Sequence, residues 1–150
     1  MKKMKKVSNY LFTICLLLNA TSFAQSERYT KGAENGYSWS AMSNPLGIYD
    51  DSKYNYLSEI LERYKLLKQS FPEVEHLGCG DELNDLLKSG ESDNISLDDM
   101  VRAIDMFYSS TENLAIPIVF AYCYQIKELA GSSKDELNDY RKEVIDFCNE

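Results

Sequence analysis

The chain contains little of the chemistry that enzymes most often use. Its only histidine is His76, and it has no G-x-S-x-G elbow, no H-E-x-x-H helix and no glycine-rich phosphate loop. One histidine and scattered cysteines give no ligand spacing for zinc. The sequence therefore predicts a non-enzymatic protein without a cofactor or a metal.

Apolar runs long enough to cross a bilayer are absent as well. The eleven-residue stretch LAIPIVFAYCY at 114–124 is the least polar part of the chain after the N-terminus, but a membrane helix needs about 20 such residues. Polar Gln125 and charged Lys127 follow it at once. The stretch therefore predicts a buried helix.

The N-terminus has the three parts of a secretory signal. Four lysines precede a short apolar run at Tyr10–Leu18, and Ser22 and Ala24 supply the small residues that a signal peptidase requires. We predict a signal peptide at 1–24 that is cleaved after Ala24. The remaining chain is then expected to be periplasmic or secreted, without membrane insertion.

The charge balance is strongly acidic. The sequence has 24 acidic and 16 basic residues, and removal of the four leader lysines leaves 12 basic residues against 24 acidic ones, a net charge of −12. Such a surface repels phosphate backbones and anionic headgroups, so nucleic-acid binding is not expected. A basic protein is the partner that this charge favours.

Helical periodicity dominates the chain after an irregular arm at 25–51. From residue 52 to 150, apolar residues recur at spacings of three and four, and no segment alternates long enough to predict a strand. We predict an all-α fold, a compact bundle of four main helices and one short helix. The expected helices are 53–70, 81–89 (the short one), 97–108, 114–130 and 134–148.

Helix boundaries have clear local signals. Ser96 is a good N-cap, and Ser133 begins an S-x-x-E capping box. Gly90 and Gly131 are placed to end helices. Pro117 is expected in the first turn of its helix, where few amide hydrogens have a partner in any case.

Three cysteines remain after the leader, and in an exported protein two of them are expected to pair. In an antiparallel hairpin of the last two helices, Cys123 and Cys148 lie about 12 Å apart along the axis, too far for a disulfide. Cys79 lies in a loop that is free to meet the C-terminus. We predict a disulfide between Cys79 and Cys148.

A thiol–imidazole pair is the alternative use of this loop. His76 precedes Cys79 by three residues and could lower the pKa of its thiol. This alternative predicts a small thiol-based envelope enzyme.

Aromatic residues cluster where the arm meets the first helix. Tyr and Trp are enriched at interfaces because they combine an apolar body with a polar tip. We predict partner binding by this cluster; the other interpretation is an arm laid down over the bundle. Its members are Tyr37, Trp39, Tyr49, Tyr54 and Tyr56.

Three stretches together resemble a group of small exported bacterial helical proteins. They are NGYSWSAMS, KYNYLSEILE and IDMFYSSTENLAIPIVFAYCYQIKELAGSSKDEL, with the pattern G-x-x-W, K-x-x-Y-L, ID-x-FY and N-x-x-IPI. The resemblance implies that one junction between helices is fixed by Asp105, Phe107, Tyr108, Asn113 and Pro117. The layout is also similar to that of Tai-type secreted immunity proteins, helical inhibitors of cell-wall amidase effectors.

These observations favour an exported protein that binds another protein in the bacterial envelope. The acidic face or the aromatic arm would make the contact. The alternatives are a Tai-like immunity protein that neutralises a secreted effector, which the resemblance implies, and the thiol-based enzyme of His76 and Cys79.

Overall fold

The computed structural model describes residues 33–42, 52–90 and 96–150. Within these ranges the regular structure is helical apart from one isolated β-bridge, so the all-α prediction is confirmed. The predicted signal peptide lies outside the described residues. The α-helices are α1 Gly36–Ala41, α2 Ser52–Ser58, α3 Ile60–Ser70, α4 Gly80–Ser89, α5 Leu97–Phe107, α6 Ile118–Leu129 and α7 Lys134–Asn149, with 3-10 helices at Pro72–Leu77 and Thr111–Asn113.

The local signals for helix ends are confirmed. Ser96 and Ser133 each accept a hydrogen bond from the backbone N–H three residues later, and the side chain at that position bonds back to the cap. Gly90 and Gly131 adopt φ values of 75° and 90°, which side chains disfavour. These ends are therefore set by neighbouring residues alone.

The predicted first helix is divided into α2 and α3. Glu59 separates them with φ −104° and ψ 6°, and its N–H bonds to the carbonyl of Tyr56, only three residues back. Tyr56, Leu57 and Ile60 are nevertheless all buried. The apolar spacing therefore continues across the break and gives no sign of it.

Helix α6 begins four residues later than predicted. Pro117 precedes its first residue and has an extended backbone, so it lies just outside the helix and not in the first turn. The carbonyls of Leu114 and Ile116 accept hydrogen bonds from the backbone N–H of Gly36 and the hydroxyl of Tyr108. Since these carbonyls are engaged elsewhere, the chain before Pro117 does not continue the helix.

Helix α6 is the centre of the fold. It contacts α3, α4, α5 and α7, and seven of its residues are buried: Ile118, Val119, Phe120, Ala121, Cys123, Gln125 and Ile126. A helix that is apolar on all sides requires such surroundings. The prediction that LAIPIVFAYCY supplies a buried helix is therefore confirmed for residues 118–124.

The predicted disulfide is wrong. Cys79 is bonded to Cys123, with the two Cα atoms 5.2 Å apart, and Cys148 is buried elsewhere. Cys148 lines a small cleft with Ala115 and Ile116, at the start of α6. Cys123 and Cys148 are not bonded to each other, as expected for the hairpin, but the Cys79 loop does not meet the C-terminus.

A buried tyrosine explains where that loop lies. The Tyr140 hydroxyl donates a hydrogen bond to the carbonyl of Leu77 at 2.9 Å. Tyr140 precedes Cys148 by eight residues, about 12 Å along α7. The loop is therefore held beside the middle of α6, next to Cys123, and away from the C-terminus.

Candidate functional site

The predicted aromatic cluster does not form one exposed surface. Trp39 is 1% exposed and Tyr56 is 5% exposed, and their rings meet edge to face at 6.3 Å. Tyr37 is half exposed and Tyr54 is partly buried, while Tyr49 lies outside the described residues. The prediction of partner binding is wrong for Trp39 and Tyr56, because both belong to the core. Over residues 33–42 the arm is laid against the bundle.

Asp105 holds Trp39 in place. The indole Nε1 donates to Asp105 Oδ1 at 2.7 Å, and the Lys53 ammonium lies 2.6 Å from the same oxygen. The Lys53 nitrogen also lies 4.9 Å from the centre of the Trp39 ring, within the range of a cation–π contact. These three residues connect α1, α2 and α5.

The backbone of the segment 33–42 is bonded to the turn before α6. Gly36 N–H donates to the Leu114 carbonyl at 3.0 Å, and Ile118 N–H donates to the Glu34 carbonyl at 2.9 Å. A Cβ on Gly36 would lie 2.5 Å from the Tyr108 ring and 2.9 Å from the Leu114 Cα. Only glycine allows this approach.

The junction between α5 and α6 is fixed by its own side chains. Tyr108 donates to the Ile116 carbonyl at 2.8 Å, and the Asn113 amide donates to the Phe107 carbonyl at 2.7 Å. Arg141 on α7 donates in turn to the Asn113 side-chain oxygen at 2.5 Å. Of the residues that were expected to fix this junction, Tyr108 and Asn113 bond across it through their side chains, whereas Asp105 bonds to Trp39 and Lys53.

The thiol–imidazole pair is not present. His76 is exposed at the end of the 3-10 helix Pro72–Leu77, and the Cys79 sulfur is bonded to Cys123. A sulfur in a disulfide provides no thiolate for His76 to activate. The oxidised protein therefore lacks the free thiol that an enzyme based on these two residues would require. A disulfide of this kind is typical of oxidising compartments.

Buried tyrosines give the fold a defined response to alkali. Burial raises the pKa of Tyr108 and of Tyr140 well above the usual value. In the unfolded chain both phenols ionise near pH 10, so above about pH 10 the folded state holds more protons and its stability falls with pH.

We therefore expect the midpoint of urea unfolding to decrease as the pH is raised beyond about 10. It is measured together with phenolate absorbance, and Tyr140→Phe should make the fall less steep. Titration of all tyrosines near pH 10 with an unchanged midpoint would refute this expectation.

The outer face of α7 carries a line of carboxylates. Asp135, Asp139, Glu143, Asp146 and Glu150 follow one another at spacings of four, four, three and four, so they lie along one side of the helix. All five are exposed, and none forms an ion pair in the described part of the chain, although Lys142 lies on the same helix. In so acidic a sequence this spacing alone does not single out α7.

Two further findings concern the described ranges. No group of three or more His, Cys, Asp or Glu side chains lies close enough together there to hold a metal ion. Likewise, none of the helices in residues 33–42, 52–90 and 96–150 has the length and low polarity that crossing a bilayer demands.

Comparison with known proteins finds no relative. No protein-family model, no curated protein and no solved structure matches this chain significantly.

Proposed function

We propose that this chain is an exported, non-catalytic protein that binds a basic protein in the bacterial envelope. The line of carboxylates on α7 is the observation that supports the proposal. Like charges one helical turn apart repel each other and destabilise the isolated helix. A cationic partner relieves that repulsion, so the arrangement suits a bound state better than a free one.

Electrostatics also favour this face over the aromatic arm. The core position of Trp39 and Tyr56 removes two of the five aromatic candidates from any contact. The carboxylates on α7 are fully available, and charged surfaces of this kind accelerate the encounter with a partner of opposite charge. Binding is therefore expected to weaken as salt is added.

A co-purification experiment tests the proposal. The protein is purified from the periplasm with a C-terminal tag, and the proteins retained with it are quantified for the wild type and for Asp135→Asn/Asp139→Asn/Glu143→Gln/Asp146→Asn. We expect the neutralised variant to lose a basic partner that the wild type retains. That partner should also be released by 0.5 M salt, at which screening extends over only about 4–5 Å.

The matched control neutralises four exposed carboxylates outside α7, Glu62, Glu73, Asp85 and Glu128. It should retain the partner, because its total charge equals that of the test variant but its α7 face is intact. Equal loss in both variants would indicate a general charge effect and would contradict the role of α7. Recovery of a cell-wall hydrolase as the partner would support the resemblance to Tai-type immunity proteins.

A further inference from the structure

A cleft of about 400 Å³ opens between the segment 33–42, α2, α3 and α6. This volume lies at the lower end of the range for small-molecule sites, about 300–1,000 Å³. Its walls come from distant parts of the chain and are half polar and half apolar. They include Glu34, Tyr56, Arg63, Leu66, Phe71 and Val119.

Among the described residues that line this cleft, Arg63 is the only cation. Its guanidinium carbon lies 4.0 Å from the centre of the Tyr56 ring, so the ring supports the planar group from one side. Nη1 donates to Glu34 at 2.8 Å and Nη2 donates to Glu59 at 3.2 Å. Nε is buried and has no hydrogen-bond partner among residues 33–42, 52–90 and 96–150.

A buried donor without an acceptor costs free energy, and such a group calls for an explanation, which can be a ligand. An acceptor that spans Nε–H and Nη2–H would satisfy it with the parallel pair of bonds that carboxylates make to arginine. Glu59 is 65% exposed and its bond to Nη2 is the longer of the two ion pairs. An exposed pair of this kind is weak, so an incoming carboxylate can replace it.

The apolar part of the wall lies one to two helical turns beyond Arg63. Leu66 is 62% exposed, and Leu67, Phe71 and Val119 lie beside it in the cleft. Covering these side chains removes apolar surface from water, which is favourable. A ligand for the whole cleft thus has an anionic end and an apolar end.

We infer that this cleft binds a carboxylate carrying an apolar group of the size of a leucine side chain. The carboxylate accepts from Nε and Nη2 of Arg63, displacing Glu59, and the apolar group covers Leu66. Because Nε is closed to solvent in the free protein, binding includes a small shift of the guanidinium on the Tyr56 ring. The inference is independent of the α7 face.

Titration followed by NMR tests this inference. N-acetylleucine is added to the ¹⁵N-labelled protein into the millimolar range, and the Arg63 Nε–H resonance is observed directly. We expect that resonance to shift and to exchange more slowly with water. N-acetylleucinamide lacks the carboxylate and should bind at least about tenfold more weakly, the effect of one lost charge-assisted bond. Acetate keeps the carboxylate but leaves Leu66 uncovered, and it should also bind at least about tenfold more weakly.

Variants separate the site from general effects. Arg63→Lys keeps the charge but removes Nε–H, and we expect at least about tenfold weaker binding. Leu66→Ser should also weaken binding, whereas Leu129→Ser, at an exposed leucine of α6 outside the cleft, should not. Glu59→Gln removes the competing carboxylate and should tighten binding.

Two natural sources share this chemistry, free fatty acids and the C-terminus of an apolar peptide. Octanoate and a tetrapeptide that ends in leucine distinguish them by their affinities. An unshifted Arg63 resonance with all of these probes would overturn the inference. An equal response to N-acetylleucinamide would overturn it as well.

Discussion

Replacement of Trp39 by alanine is expected to lower the free energy of unfolding by about 3–5 kcal/mol. The indole is 1% exposed, packs against Tyr56 and donates to Asp105 at 2.7 Å. Its removal leaves a cavity between α1, α2 and α5 and strips Asp105 of a donor. Since small domains are stable by only about 5–15 kcal/mol, this is a large part of the total. Urea unfolding followed by circular dichroism measures it.

Tyr37→Ala is the matched control, because this ring belongs to the same helix but is half exposed. Substitutions at such positions usually change stability by no more than about 0.5 kcal/mol. Asp105→Asn keeps an acceptor for the indole and should lose less than Trp39→Ala. Equal effects of Trp39→Ala and Tyr37→Ala would refute the core position of Trp39. A binding defect in Trp39→Ala would therefore report on folding and not on an interface.

Removal of the disulfide is expected to cost about 4 kcal/mol. Cys79 and Cys123 are 44 residues apart in sequence, and the chain-entropy model gives this value for a loop of that length. The double variant Cys79→Ala/Cys123→Ala should therefore unfold at a markedly lower urea concentration than the oxidised wild type. Equilibrium unfolding of both proteins provides the comparison.

Reductant separates the cross-link from the packing of the two side chains. Dithiothreitol should lower the midpoint of the wild type and leave the double variant unchanged. Cys148→Ala should keep its sensitivity to reductant, because Cys148 is not part of the bond. A Cys148→Ala variant whose midpoint no longer responds to reductant would mean that Cys148 takes part in the bond.

Features with local causes were predictable from sequence. The caps at Ser96 and Ser133 and the glycines at 90 and 131 depend on residues within one turn, so their positions agree with the structure. The buried character of α6 follows from its composition in the same way. The break at Glu59 has a local bond but no compositional signal, and it was missed.

Features with distant causes were not predictable. The start of α6 depends on hydrogen bonds from Gly36 and Tyr108, and the disulfide depends on Tyr140 holding the loop at Leu77. The burial of Trp39 depends in the same way on Asp105, 66 residues away. A single sequence does not indicate which distant residues come into contact in the fold.

The two candidate sites, the α7 carboxylates and the cleft at Arg63, differ in the same way in how far the sequence predicts them. The spacing of the α7 carboxylates is visible in the sequence. What distinguishes them is that they are exposed and form no ion pairs in the described structure. The cleft at Arg63 has no sequence signature, since Glu34, Tyr56 and Val119 reach it from three separate segments. Its unsatisfied Nε–H exists only in the folded chain.

The arrangement of the fold depends most on the loop before α4 lying against the middle of α6. Trypsin places the three cysteines in separate peptides, 69–88, 103–127 and 143–150, because lysine or arginine precedes each one and lysine ends the first two. Mass spectrometry of a non-reduced tryptic digest should find 69–88 joined to 103–127, with 143–150 alone. A digest in which 69–88 is joined to 143–150 would contradict this arrangement, since Cys79 would then lie at the start of α6 and not beside its middle.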